Sequence, residues 1–140
     1  MSDTAIRGID HIAVAVENLD AAIALFESVF GLKAHHREEI AGFGVAIATI
    51  ATGDTEIELV QGTTPDSPIT KFVAARGPGL HHIAFEVGDI DGALKKLAAK
   101  GIPLIDSVAR PGKQGSRVAF IHPKATGKVL CELVERKKQP

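Results

Sequence analysis

The chain has 140 residues, 45% of them apolar, with 16 basic and 17 acidic side chains and a net charge of −1. This length suits one domain with a proper core. The balanced charge argues against nucleic acid or an anionic membrane surface as a partner held by bulk charge. No apolar run approaches the roughly 18 residues of a membrane span, and the polar start does not resemble a signal peptide. With a single cysteine, Cys131, the sequence predicts a cytoplasmic protein without an intrachain disulfide.

The first predicted strand is repeated later in the chain. Residues 8–16 match residues 79–87 at an offset of 71, and both segments carry a histidine at the same place, His11 and His82 (82 − 11 = 71). Self-similarity at a fixed offset indicates one structural unit built twice.

The first module is predicted to span about residues 6–62. After the first strand, Asn18 is the expected cap of a helix that Gly31 ends. Three further strands are predicted, separated by glycine-containing turns, at residues 32–39, 45–51 and 56–61. The first half therefore reads βαβββ.

A connector helix, about residues 66–77, is predicted from Ser67 as cap and Pro68 at the first helical position. The second module spans about residues 79–136, with a helix capped by Asp89. Its later segments are a short strand at 103–105, a loop at 106–116, and strands at 117–121 and 129–135. We expect one domain over residues 1–140.

The last strand of each module carries a matching tripeptide, Glu58-Leu59-Val60 and Glu132-Leu133-Val134, at an offset of 74. Each half thus offers one histidine and one glutamate. The candidate metal ligands are His11, Glu58, His82 and Glu132. Two imidazoles and two carboxylates balance a divalent charge, and this donor set suits zinc, cobalt, nickel, manganese or iron better than calcium. The alternative to a metal site is a repeat that is retained for packing, in which polar residues occupy equivalent positions by chance.

Other polar residues have no repeat-related partner. The histidines interpreted as structural are His35, His36, His81 and His122. The basic residues interpreted mainly as a solvated face, with contact to an anionic ligand as the alternative, are Arg110, Lys113, Arg117 and Lys124. Small residues beside the candidate ligands are expected to leave open space for substrate, namely Ala13, Ala15 and Ala84.

The sequence resembles the vicinal oxygen chelate superfamily and, within it, methylmalonyl-CoA epimerases. The segments that carry this resemblance are Asp10-His11-Ile12, Asp66-Ser67-Pro68-Ile69, Gly79-Leu80-His81-His82-Ile83, His122-Pro123-Lys124 and Val129-Leu130-Cys131-Glu132-Leu133. The doubled histidine with the His-Pro-Lys turn favours an epimerase over glyoxalase I. The resemblance implies an α+β fold in which two tandem βαβββ modules form an open, cup-shaped mixed sheet around a metal site, and it implies a homodimer.

The activity implied by the resemblance is metal-dependent epimerisation of methylmalonyl-CoA at C2, by proton removal and return through a metal-chelated enolate. The ligand set carried over is His11, Glu58, His82 and Glu132, holding one divalent ion per chain. Cobalt is the first choice, with nickel, zinc and manganese as alternatives. The main alternative function is a glyoxalase I-type lactoylglutathione lyase, which uses the same ligands.

Inversion at C2 needs a base on each face of the substrate. Glu132 is carried over as one base, whereas the position at which some relatives have a second glutamate is Ile47 here. Our hypothesis is that Glu58 serves the opposite face, with Glu38 or Glu39 as the fallback.

The expected substrate is an acyl-CoA thioester that carries a free carboxylate. Ser116, on the loop before a predicted strand of the second module, is the candidate contact for that carboxylate, with Lys124 nearby.

Overall fold

A computed structural model describes residues 3–138. Its strands are β1 (Gly8–Ala15), β2 (Ala34–Ile40), β3 (Val45–Thr52), β4 (Thr55–Gly62), β5 (Gly79–Glu86), β6 (Arg110–Pro111), β7 (Arg117–Ile121) and β8 (Cys131–Glu135). Its α-helices are α1 (Leu19–Phe30), α2 (Pro68–Arg76) and α3 (Ile90–Ala99). This order confirms the predicted α+β fold of two tandem βαβββ modules joined by a helix. Within the described residues, no helix is long and apolar enough to cross a membrane.

The helices begin where their capping residues predict. The side chain of Asn18 accepts a hydrogen bond from the Ala21 N–H at the start of α1, and Asp89 does the same for the Gly92 N–H in α3. Ser67 caps α2 by accepting from the Ile69 N–H. Each cap satisfies a backbone donor that the first helical turn leaves without a partner.

Contacts divide the chain into two compact units, which we call the first unit (residues 11–81) and the second unit (residues 3–10 with 82–138). In the first unit the strand order is β2-β3-β4-β1, with β1 and β4 parallel. In the second unit the order is β5-β8-β7-β6, with β5 and β8 parallel. Each unit therefore repeats the same strand arrangement, as the duplicated sequence predicts. That residues 1–140 form one domain stays a prediction.

The sheet of the first unit packs on both faces. Its α1 side buries Val16, Leu19, Ala22, Ala48, Ile50 and Leu59. The α2 side buries Ala13, Ala15, Val45, Ile47, Val60 and Ile69. Open space was expected in front of Ala13 and Ala15, but both are fully buried in this second cluster. That expectation is wrong because Ile69 and other side chains of α2 cover the face.

The core of the second unit lies between α3 and one face of its sheet. It contains Val87, Ile90, Ala93, Leu94, Ala119, Ile121 and Leu133. Because side chains alternate along a strand, Glu132 and its cross-strand partner Phe120 lie on the other face. The second unit therefore keeps one face for its core and leaves the other to its candidate ligands.

The predicted strand at residues 103–105 is wrong. Leu104 forms only an isolated bridge with Ile121, because the N–H groups of Ile105 and Asp106 both donate to the Phe120 carbonyl and break the regular ladder. The short strand β6 lies instead inside the segment predicted as loop.

Candidate metal centre

The first unit brings His11 and Glu58 together. Both side chains are buried, and His11 Nδ1 lies 3.4 Å from Glu58 Oε2. The parallel pairing of β1 with β4 places Glu58 directly opposite Ala13, two residues beyond the histidine on the same face. The structure thus joins the two candidate ligands that the sequence assigns to this half.

The second unit repeats this arrangement with His82 and Glu132. Both are buried, and His82 Nε2 lies 3.4 Å from Glu132 Oε1. The pairing of β5 with β8 places Glu132 opposite Ala84, again two residues beyond the histidine. The two pairs therefore occupy the same register in their own units. The histidines are 71 residues apart and the glutamates 74, and the three additional residues lie between the strands.

The chemistry of each pair fits a divalent metal ion. A separation of 3.4 Å exceeds the roughly 2.7–3.2 Å typical of an N–H···O hydrogen bond. Two donors each about 2.1 Å from one ion are about 3.0–3.4 Å apart, since the ligand–metal–ligand angle lies between a right angle and the tetrahedral value. Among the described residues, His11, His82 and Glu132 each offer one ligand atom suitable for an ion. The burial of these side chains also favours metal binding, because a desolvated carboxylate requires a compensating positive charge.

Phe120 positions the imidazole of His82. The two rings meet edge to face, with centroids 5.1 Å apart and an interplanar angle of 89°. Phe120 also lies directly opposite Glu132 on the neighbouring strand. Packing against a fixed aromatic ring restricts the rotamers of a ligand before any ion binds.

Two polar residues near the first pair were not identified from the sequence. Glu56 lies directly opposite His11 in the β1–β4 pairing, and Thr49, which is fully buried, lies opposite Glu58. Strand alternation at 56–61 places Glu56 and Glu58 on one face. This alternation could have identified Glu56 as a neighbour of Glu58. Only the register of β1 against β4 shows that Glu56 also lies beside His11.

The structure separates the two fallback bases. Glu38 is half-buried and lies opposite Ile47, so it is on the same face as the cluster around Ala13. Glu39 alternates to the other face and is exposed. His36, interpreted as structural, contacts Glu38 with Nε2 3.0 Å from Oε1. The geometry therefore favours Glu38 over Glu39.

Asp10, the residue before His11, is buried and ion-paired with Arg136. Arg136 follows the end of β8, and both residues belong to the second unit. The sequence offered only the Asp10-His11-Ile12 motif, because the partner is 126 residues away. The pair fixes the start of β1 against the end of β8.

The loop residues differ in their exposure. Ser116 is buried, whereas Lys124 is exposed on the turn Pro123–Thr126. Lys113, assigned to a solvated face, is only 8% exposed, so that assignment is wrong. The tight turn that follows β6 buries this side chain, and sequence alone does not specify that path.

Arg117 is partly exposed and makes two hydrogen bonds to the carboxylate of Asp91, at 2.7 and 2.8 Å. This bonding lowers the pKa of Asp91 and raises that of Arg117. Arg117 is therefore committed to a structural ion pair on α3 and is not a candidate for ligand binding.

Comparison with known proteins identifies the family. Residues 10–120 match the Glyoxalase/Bleomycin resistance protein/Dioxygenase superfamily. The chain is 35% identical over 129 residues to the mitochondrial methylmalonyl-CoA epimerase of Dictyostelium discoideum, covering 91% of this chain and 78% of that protein. The chain belongs to the methylmalonyl-CoA epimerase family.

Solved structures of this epimerase family share the fold. The crystal structure of methylmalonyl-CoA epimerase from Mycobacterium tuberculosis has a TM-score of 0.93 and 35% identity, covering 99% of this chain and 93% of that one. A methylmalonyl-CoA epimerase in complex with methylmalonyl-CoA and NH4+ has a TM-score of 0.91 and 33% identity, covering 97% of this chain and 100% of that one. Both similarities extend over nearly the whole chain.

Proposed function

We propose that this chain interconverts the two C2 epimers of methylmalonyl-CoA. The observation that carries the proposal is a buried histidine–glutamate pair at the same register in each unit of a chain that belongs to the epimerase family. The epimerase function is favoured over a glyoxalase I-type reaction, because several proteins similar to this chain are named methylmalonyl-CoA epimerases.

The proposed cofactor is one divalent metal ion held by His11, Glu58, His82 and Glu132. Cobalt is our first choice, and nickel, zinc and manganese are the alternatives. When bound, the ion would supply positive charge that stabilises negative charge on substrate oxygen atoms. Support comes from the burial of all four side chains and from the 3.4 Å separation within each pair.

The proposed bases are Glu132 and Glu58. Each would remove or return the C2 proton on one face of the substrate, because inversion requires proton transfer on opposite sides of the carbon. Both carboxylates are buried, so water competes poorly for the proton in transit. Glu38 is the fallback for Glu58, since it lies on the face of Ile47 and Ala13.

The proposed substrate contacts are Ser116 and Lys124. The Ser116 hydroxyl is buried and has no hydrogen-bond partner among residues 3–138, which suits a group reserved for a ligand. Lys124 is an exposed cation that would attract the anionic acyl-CoA.

A homodimer is part of the same proposal. Three large apolar side chains on α1, Leu25, Val29 and Phe30, are 63–66% exposed. Leu25 and Val29 are four residues apart and therefore share one side of the helix. Burial of this patch against a second copy would remove it from water, and light scattering at several concentrations tests the state of association.

The function is tested by assay of the purified, metal-loaded chain on two substrates. We expect conversion of (2R)- to (2S)-methylmalonyl-CoA, and no turnover of the hemithioacetal of methylglyoxal and glutathione. Chelator treatment should abolish the activity, and addition of cobalt, nickel, zinc or manganese should restore it to different extents. Turnover of the hemithioacetal alone would refute the epimerase proposal.

A further inference from the structure

A buried threonine lies next to the ligand pair of the first unit. Thr49 is fully buried, and the pairing of β3 with β4 places it directly opposite Glu58. Residues that face each other across antiparallel strands point to the same side of the sheet, with their Cβ atoms about 4.5–5.5 Å apart. The Thr49 side chain therefore lies on the face that carries His11 and Glu58, within side-chain reach of the glutamate.

Packing alone does not account for a hydroxyl at this position. Thr49 is the one polar residue in segment 45–51 of β3, whose other members are valine, isoleucine and alanine. A buried hydroxyl is unfavourable unless it forms a hydrogen bond. A valine has nearly the same shape and avoids this cost. The threonine at this place thus indicates a polar role for its hydroxyl.

Polar residues lie on both sides of Thr49 in the sheet. On β2, His36 is directly opposite Thr49, but its Nε2 already contacts Glu38 Oε1 at 3.0 Å. The His36 side chain is also 27% exposed, so water can serve it. On β4 and β1, by contrast, Glu58 and His11 are buried. Buried polar groups depend on partners within the protein or on a bound ion, so the Thr49 hydroxyl is best suited to this pair.

The equivalent position in the second unit also supports a ligand pair, by a different contact. Phe120 lies directly opposite Glu132, in the place that Thr49 occupies in the first unit (120 − 49 = 71). The Phe120 ring restricts the imidazole of His82 through an edge-to-face contact. The duplicated fold therefore uses this position next to the glutamate twice, with an aromatic ring in one unit and a hydroxyl in the other.

We infer that Thr49 is a positioning residue that holds His11 and Glu58 in the orientation that binds the metal ion. A threonine hydroxyl donates one hydrogen bond and accepts two. Groups that hydrogen-bond to metal ligands fix the orientation of those ligands and raise the affinity for the ion. The inference rests on the proposed function, because it requires the proposed metal site, and it deepens that proposal.

The experiment measures the dissociation constant for cobalt by competition titration of the metal-free protein against a chelator. Loss of a group that supports metal ligands typically weakens metal affinity by about 10–100-fold. We expect a loss of this size in Thr49→Val and in Thr49→Ala, which both remove the hydroxyl, whereas Thr49→Ser should retain most of the wild-type affinity. The matched control is Thr52→Val on the same strand. It removes a hydroxyl that donates to the Thr55 carbonyl and should bind cobalt as the wild type does.

The visible absorption of the cobalt-saturated protein separates positioning from a structural role, because these bands depend on the geometry of the ligands. We expect altered bands in Thr49→Val and Thr49→Ala and wild-type bands in Thr49→Ser. Wild-type cobalt affinity in Thr49→Val or Thr49→Ala would overturn the inference. Equal weakening in all three variants, or weakening with unchanged bands, would also overturn it, since the hydroxyl would then not orient the ligands. If the wild type binds none of cobalt, nickel, zinc and manganese, the proposed metal site itself fails and the inference fails with it.

Discussion

Glu132 lies directly opposite Ala84 on the neighbouring parallel strand. This register carries its carboxylate to within 3.4 Å of the histidine two residues earlier on that strand. The first unit reproduces the relationship between Glu58 and Ala13. In each half, two parallel strands thus place a glutamate opposite the residue two positions after the histidine, and this register brings two possible ligands together.

Removal of one imidazole should weaken metal binding. We expect His82→Ala to lower the affinity for cobalt by at least about tenfold, because a nitrogen donor is lost from the proposed set of four. Competition titration against a coloured chelator measures this change. His122→Ala, which removes an exposed histidine, is the matched control and should retain wild-type affinity. Equal affinities for the two variants would contradict the assignment of His82.

The two proposed bases should differ in the epimer that they serve. In heavy water, Glu132→Gln and Glu58→Gln should each slow deuterium incorporation from one epimer by about 100-fold or more and leave the other less affected. Proton NMR of each pure epimer measures the exchange. Glu39→Gln, at an exposed site on β2, should exchange both epimers at the wild-type rate. Equal loss from both epimers, or no loss in Glu58→Gln, would eliminate Glu58 as a base and make Glu38 the next residue to replace.

The ion pair next to His11 should contribute to stability. Arg136→Met leaves the Asp10 carboxylate buried without this charge, so we expect a loss of about 2–3 kcal/mol in the free energy of unfolding. Urea denaturation measures this value. The double variant Asp10→Asn with Arg136→Met should be more stable than Arg136→Met alone. A single variant as stable as the wild type would indicate that the pair contributes nothing.

Acid should weaken the link between α3 and β7. The hydrogen bonds from Arg117 lower the pKa of Asp91 below its ordinary value of 3.8. This carboxylate therefore stabilises the fold fully above about pH 3.8, and the contribution is lost as the pH falls through the lower pKa of the folded state. Asp91→Asn should remove that part of the pH dependence, which thermal melts between pH 2 and 5 would detect. If the melting temperature of Asp91→Asn falls with acid as that of the wild type does, the stabilising role of Asp91 is contradicted.

Local signals predicted much of the fold. Asn18, Ser67 and Asp89 specify helix starts because a cap depends only on the next three residues. The repeat also selected the four candidate ligands, one histidine and one glutamate in each half, and their joint binding of one ion stays a prediction. The sequence failed where long-range contacts decide: the pairing of Glu56 against His11 and the burial of Lys113 depend on strand register and loop path.

The edge-to-face contact between Phe120 and the imidazole of His82 has an entropic consequence. An imidazole that is already held in one orientation gives up little rotational freedom on coordination. We therefore expect a smaller residue at position 120 to make coordination of the proposed ion less favourable in entropy, because the imidazole would then lose more rotational freedom.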